Sequence, residues 1–254
     1  VEVNKMNSNI QNAFLRMASV SLFFLIWEIS SRILEVDLLP GPESVFVKII
    51  EELNNEELIF HTSITLKRVF ISFCIAMLIG SFFGIYMGRK ERLNTFLDDW
   101  LVLGLNVPAL VIIILCYVWF GLNEVAAILA VSLNKIPMVA VIMSEGARSI
   151  EQDYVDVGKF YQISKKKFFT KIFLPQLYPY VLSSARSGLS LIWKIVLVVE
   201  LLGRSNGVGF KLYGFFQFFD IAGILAYTLV FVLLIIFVEF VIVRPFEKKI
   251  SIWR

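Results

Sequence analysis

Apolar runs of roughly 18 to 25 residues recur along this chain, at 13–34, 69–87, 97–120, 124–144, 180–202 and 221–243. A helix of that length crosses the hydrocarbon core of a bilayer. Inside a bilayer only helices and closed barrels satisfy their own backbone polar groups. The expected fold class is therefore all-α, a polytopic membrane protein with six transmembrane helices. A polar N-terminal tail at 1–12 precedes a single transmembrane domain at 13–254. The first run is too long for the core of a secretory signal, and no small-x-small cleavage site follows it, so it reads as a retained span.

Composition supports this and removes other classes. The chain is 58% hydrophobic and only 18% charged, with a mean hydropathy of +0.77; soluble domains carry about 25% charged residues. A net charge of +3 is too small to imply a nucleic-acid partner. Cys74 and Cys116 both fall within apolar runs and read as packing residues. His61 is the sole histidine, which argues against a histidine metal site or catalytic triad. No metal-ligand set, catalytic set or G-x-x-x-x-G-K-[ST] phosphate loop is present. Gly80, Gly84 and Gly88 recur every four residues in an apolar run, where they let two helices approach closely.

Orientation follows from the distribution of Lys and Arg, which favour the cytoplasmic side. Fifteen of the 24 fall in one set: Lys5 and Arg16, Arg89 to Arg92, the six around 148–171, and Arg244 to Arg254. Six fall in the opposite set, and Lys135, Arg186 and Lys194 lie inside runs. Both termini are expected in the cytoplasm, with 35–68, 121–123 and 203–220 outside. In the outer segment, Val45, Ile49, Ile50, Leu53 and Leu58 keep helical spacing against Glu51, Glu52, Glu56 and Glu57. This predicts an amphipathic helix, either lying on the outer membrane surface or packed on the spans.

Between the fourth and fifth runs lies a basic, mostly polar insert at 153–179, within a loop at 149–178. A simple connection needs only a few residues, so the insert has room for structure. Asp156 to Phe160 and Lys165 to Phe173 suit two short helices joined near Gln162 and Ser164, with Pro175 expected to end the second. Such a pair can dock a cytoplasmic partner. Alternatively, the lysines rest on anionic lipid, each gaining about 1 kcal/mol.

The fifth run carries Ser183, Ser187, Ser190 and Lys194 at spacings that share one helical face. An ionisable residue near the membrane centre is a functional candidate by default. A polar stripe ending in a cation suits a water-filled pathway for an anion. The structural alternative pairs Lys194 with Glu28, Glu200 or Glu239. Lys135, beside Asn134 and close to Pro137, is a weaker candidate on the fourth run.

Several ordered pieces together resemble the permease subunit of bacterial ABC importers, in the branch serving nitrate, bicarbonate, taurine, alkylsulfonates and thiamine precursors. They are Trp27-Glu28 with Leu39-Pro40-Gly41-Pro42, Leu66-Lys67-Arg68-Val69, Pro108-Ala109-Leu110 with Trp119-Phe120-Gly121, Trp193-Lys194, Glu200-Leu201-Leu202-Gly203 and Ser205-Asn206-Gly207-Val208-Gly209. In the loop, Ile172, Leu174, Pro175 and Ser164 match the family signature. Asp156-Val157-Gly158 stands where Glu-Ala-Ala is usual, and Gln162 where glycine is usual. Two accounts of Gln162 are open: an ordinary-φ turn, or transfer of the flexible position to Gly158.

The resemblance implies a type I importer membrane domain that catalyses nothing itself. It implies ATPase-coupling residues Asp156, Gly158, Gln162, Ser164, Ile172, Leu174 and Pro175, and a permease homodimer. It also implies two cytoplasmic ATPase subunits holding ATP and Mg, an extracytoplasmic solute-binding protein, and surrounding membrane lipid. The pathway candidates remain Ser183, Ser187, Ser190 and Lys194. An ion-coupled secondary transporter is the competing function, although such transporters show internal repeats and broken helices and the sequence shows no clear repeat.

Overall fold

The computed structural model describes residues 2–33 and 39–245, and every described element is helical. Lys248, Lys249 and Arg254, used above to orient the chain, lie outside the described residues, as do the side chains of Lys5, Arg16 and Lys159. The helices are α1 (Glu2–Ile33), α2 (Pro42–Asn54), α3 (Glu57–Arg89), α4 (Glu91–Asn106), α5 (Ala109–Phe120) and α6 (Glu124–Arg148). There follow α7 (Gln152–Phe160), α8 (Lys165–Phe168), a π-turn at Phe169–Phe173, α9 (Leu174–Gly203), α10 (Val208–Gln217) and α11 (Ile221–Val238) with a closing π-turn at Glu239–Val243.

Three helices among the described residues are long and apolar enough to cross a membrane: Glu57–Arg89, Glu124–Arg148 and Ile221–Val241. A fourth arises if α4 and α5 count as one broken span, bent by 94°. Six spans are thus not confirmed. The run at 97–120, expected as one helix, is the clearest correction. Val107 adopts extended backbone (φ −66°, ψ 123°) ahead of Pro108, because a proline ring crowds an α-helical predecessor. Helices α1 and α9 overlap the runs at 13–34 and 180–202 but are not among the three.

The chain divides into two compact units. The larger comprises Phe60–Phe210 with Val232–Arg254. In it α3 lies against α6 through the Gly80, Gly84 and Gly88 face. A Cβ on Gly84 would stand 2.4 Å from the Ala140 carbonyl oxygen, and one on Gly88 2.4 Å from that of Ser144. Helix α6 passes through Pro137 without ending. Val139, Met143 and Ala147 of α6 bury against Phe173 and Leu177.

The smaller unit comprises Val1–Ile59 with Lys211–Phe231. Its α2 seats by Val45 and by Glu52, which accepts from the Tyr227 hydroxyl at 2.9 Å and pairs with Lys211 at 3.1 Å. Lys48 bridges Glu51 at 3.2 Å and Asp220 at 3.7 Å. Of the apolar stripe the sequence suggested, Val45 and Leu58 are buried, whereas Ile50 and Leu53 stay 55% and 40% exposed.

Candidate functional site

Helix α7 is short and carries two faces. Val155 and Gly158 are buried, while Tyr154, Asp156, Val157, Phe160 and Tyr161 are exposed. Gly158 makes the close packing possible, since a Cβ there would lie 2.9 Å from the Phe168 ring and 3.5 Å from Ile172. The helix ends in a Schellman arrangement: the Ile163 N–H reaches back to the Gly158 carbonyl at 3.0 Å. That motif places one residue in the left-handed region, and here it is Gln162, with φ +48°. Both sequence-based accounts are corrected. The turn does need positive φ, and Gln162 itself supplies it, at a cost of roughly 1–2 kcal/mol. Gly158 serves close approach instead. Ser164 then caps α8, accepting from the Lys167 N–H at 3.4 Å.

Pro175 does not end a helix. The chain runs helically from Lys165 to Gly203, through α8, the π-turn and α9. A proline ring collides with the carbonyl four residues back, and the wider π-turn at Phe169–Phe173 sits where that collision would occur. Leu174 and Pro175 consequently open α9, and Ile172 lies in the π-turn just before it. Phe173 is buried, Phe169 is half exposed, and Lys165, Lys166, Lys167 and Lys171 are exposed.

At the other end of α9 lies a charge cluster whose members the sequence did not bring together, Glu200 being considered only as a partner for Lys194. Glu200 is fully buried and accepts from Arg68 Nη1 at 2.7 Å, Thr65 Oγ1 at 2.9 Å and the Gly209 N–H at 2.9 Å. Arg68 uses every guanidinium N–H: Nε and Nη2 clasp Glu124 at 2.8 Å each, Nη1 also donates to the Asn206 carbonyl at 2.8 Å, and Nη2 to Asn206 Oδ1. Arg204 adds a second cation on Glu124 at 3.1 Å. The two cations and two carboxylates balance. The loop is held as tightly by its backbone, since Gly207 N–H donates to His61 Nδ1 and Val208 N–H to Thr65 Oγ1, both at 2.9 Å. Gly207 has φ +108°, and a Cβ there would lie 2.3 Å from the Glu200 carboxyl carbon. In the sequence Arg68 and Glu200 stand out only singly, as ionisable residues at the ends of two apolar runs.

Ser183, Ser190 and Lys194 lie on the exposed face of α9, with Ser187 half-buried between them. Ser184 and Gly188 form the buried face opposite. The carboxylates considered as partners for Lys194 are engaged elsewhere: Glu200 with Arg68, Glu28 with Arg32 at 2.8 Å, and Glu239 with Arg186 at 3.2 Å. The stripe and the α7 residues are not brought together: α7 ends at Phe160 and rests near the start of the helical rod from Lys165 to Gly203, whereas the stripe begins at Ser183.

Residues 76–251 match the family described as binding-protein-dependent transport system inner membrane component. The chain is 28% identical over 240 residues to a Bacillus subtilis protein named as the aliphatic sulfonates transport permease SsuC, covering 92% of this chain and 85% of that protein. It is also 28% identical over 230 residues to the bicarbonate transport system permease CmpB of Synechococcus elongatus, covering 85% of this chain and 81% of the relative. A crystal structure of an amino acid ABC transporter shares the fold, with a TM-score of 0.57 at 17% identity over 79% of this chain and 94% of that one.

Proposed function

The chain belongs to the family of binding-protein-dependent transport system inner membrane components, and from that premise we infer that it forms the translocation pathway for a small anionic solute and is driven by a cytoplasmic ATPase. The two relatives named for sulfonate and bicarbonate support an anionic cargo. The observation that carries the coupling assignment is mechanical. Helix α7 presents exposed Tyr154, Val157 and Tyr161 at helical spacing, and its other face rests through Gly158 on Phe168. Phe168 belongs to the rod that continues to Gly203. A displacement of α7 is therefore delivered to the base of α9 with no flexible joint between them, apart from the Gln162 turn.

In this reading two copies of the chain assemble with two ATPase subunits, which hold ATP and Mg, and an extracytoplasmic binding protein delivers the solute. Lipid surrounds the apolar helices. The Lys and Arg count supports a cytoplasmic α7 segment and cytoplasmic termini. A Lys166→Cys thiol is then expected to react with a membrane-impermeant reagent only after the inner membrane is opened. Reaction in intact cells would reverse the orientation.

Coupling is tested by Asp156→Lys, which reverses the charge on the exposed side of α7. The variant is expected to accumulate normally while co-purification of the ATPase, or the transport supported by each hydrolysed ATP, falls at least tenfold. Normal co-purification together with normal transport would remove α7 as the docking element.

A further inference from the structure

Helices α6 and α9 are antiparallel, and two contacts fix their register. Glu124 meets Arg204 at 3.1 Å, and Gly146 approaches Tyr180 so closely that a Cβ would lie 2.5 Å from its ring. Interpolating between these anchors sets Lys135 level with residue 192, within one turn of Lys194. Lys135 lies eleven residues from the start of α6 at Glu124 and thirteen from its end at Arg148. At 1.5 Å per residue that is about 16 Å from one end and about 20 Å from the other, close to the middle of a bilayer core about 30 Å thick.

Lys135 is only 6% exposed, yet it has no hydrogen bond or ion pair to any described residue. Other buried ionisable groups have partners: Arg68 with Glu124 and Glu200, Glu52 with Lys211 and Tyr227. Lys194, at the same level on α9, also has no described counter-charge. The only sealed side-chain nitrogen or oxygen lacking a hydrogen bond among the described residues is Arg204 Nε. The Lys135 ammonium, which makes no hydrogen bond to a described residue, is therefore not completely sealed in. A charge in the apolar interior is costly unless something compensates it, and here two cations share one depth with no carboxylate for either among the described residues.

Resting on the reading of the chain as an importer pathway, we propose that Lys135 forms a mid-membrane site for a small oxyanion, such as a sulfonate or bicarbonate, whose negative charge supplies the missing compensation during passage, and that Lys194, at the same depth on the exposed face of α9, adds a second positive charge to it. The sequence put Lys194 on a pathway face, but nothing in it placed Lys135 beside that level.

The test needs no knowledge of the natural solute. In the full complex, with Cys74 and Cys116 first replaced, the Lys135→Cys thiol is challenged with an anionic and a cationic methanethiosulfonate of similar size. Each rate is normalised to that of a free thiol. The proposal predicts that the anionic reagent is favoured about tenfold, the magnitude of one nearby unit charge in a partly screened setting. Adding Lys194→Met should bring the preference to about one. A preference unchanged by Lys194→Met, or no reaction with either reagent at any stage of the ATP cycle, would overturn the shared site. Transport provides the second readout: Lys135→Arg should retain it and Lys135→Met should lose at least tenfold with the ATPase still bound. Normal transport by Lys135→Met also overturns the site. Because ATPase binding is read separately, the site can fail while the importer assignment stands.

Discussion

Arg68→Ala is expected to prevent the chain from accumulating in the membrane. Arg68 is 2% exposed and is the only described cation on Glu200, which is fully buried. Removing one partner of a buried pair leaves the other charge uncompensated, which costs about 3–5 kcal/mol. The same deletion strands Asn206 and leaves Glu124 with Arg204 alone, so the 203–209 loop loses its anchor as well. Arg68→Lys should rescue little, since an ammonium cannot span Glu124, Glu200 and Asn206 at once. Lys67→Ala is the matched control. The Lys67 side chain is exposed, and surface changes of this kind stay within about 0.5 kcal/mol. Quantifying membrane-inserted protein for the three variants checks the argument. Wild-type levels of Arg68→Ala would mean that the cluster does not hold the fold.

Gly158→Leu is expected to abolish coupled transport while the membrane helices remain folded. Even a Cβ at this position meets the Phe168 ring at 2.9 Å, and the rest of a leucine side chain has to displace either that ring or α7. Displacing α7 breaks the contact through which it loads the rod starting at Lys165. We expect protein levels within twofold of normal and transport reduced at least tenfold, with ATP hydrolysis continuing unproductively. Gly158→Ala combined with Phe168→Leu, which removes ring atoms from the contact, should recover part of the loss. Full transport by Gly158→Leu would show that α7 need not rest on Phe168.

Much of the helical layout was legible because apolar length and glycine spacing are local signals. The Gly80, Gly84 and Gly88 face meets α6 as its spacing suggested. Two prolines show where local rules conflict. At Pro108 the rule against helix before proline prevailed over a continuous apolar run, and the chain bends by 94°. At Pro175 the same rule failed, because the preceding π-turn makes room for the ring. Gln162 shows that a left-handed position can be filled by a residue that pays a strain cost, so the missing glycine did not remove the turn. The charge cluster was illegible for another reason. Arg68 and Glu200 are 132 residues apart, and a single sequence contains no signal that pairs them. The level shared by Lys135 and Lys194 depends on the α6–α9 register, which likewise exists only in three dimensions.

In the proposed function a partner's ATP cycle, passing through α7, moves the helices lining the pathway. The 94° break between α4 and α5 is a feature that ion-coupled transporters also use, so the energy source must be tested directly. The measurement is the reactivity of a Lys194→Cys thiol, with Cys74 and Cys116 replaced, in proteoliposomes holding the chain and its ATPase. A membrane-impermeant thiol reagent is added on the extracytoplasmic side. The account predicts that trapping the ATPase with MgATP and vanadate changes the labelling rate at least tenfold, and that a proton or sodium gradient changes it little. Labelling indifferent to nucleotide but responsive to an ion gradient, with or without the ATPase present, would contradict it.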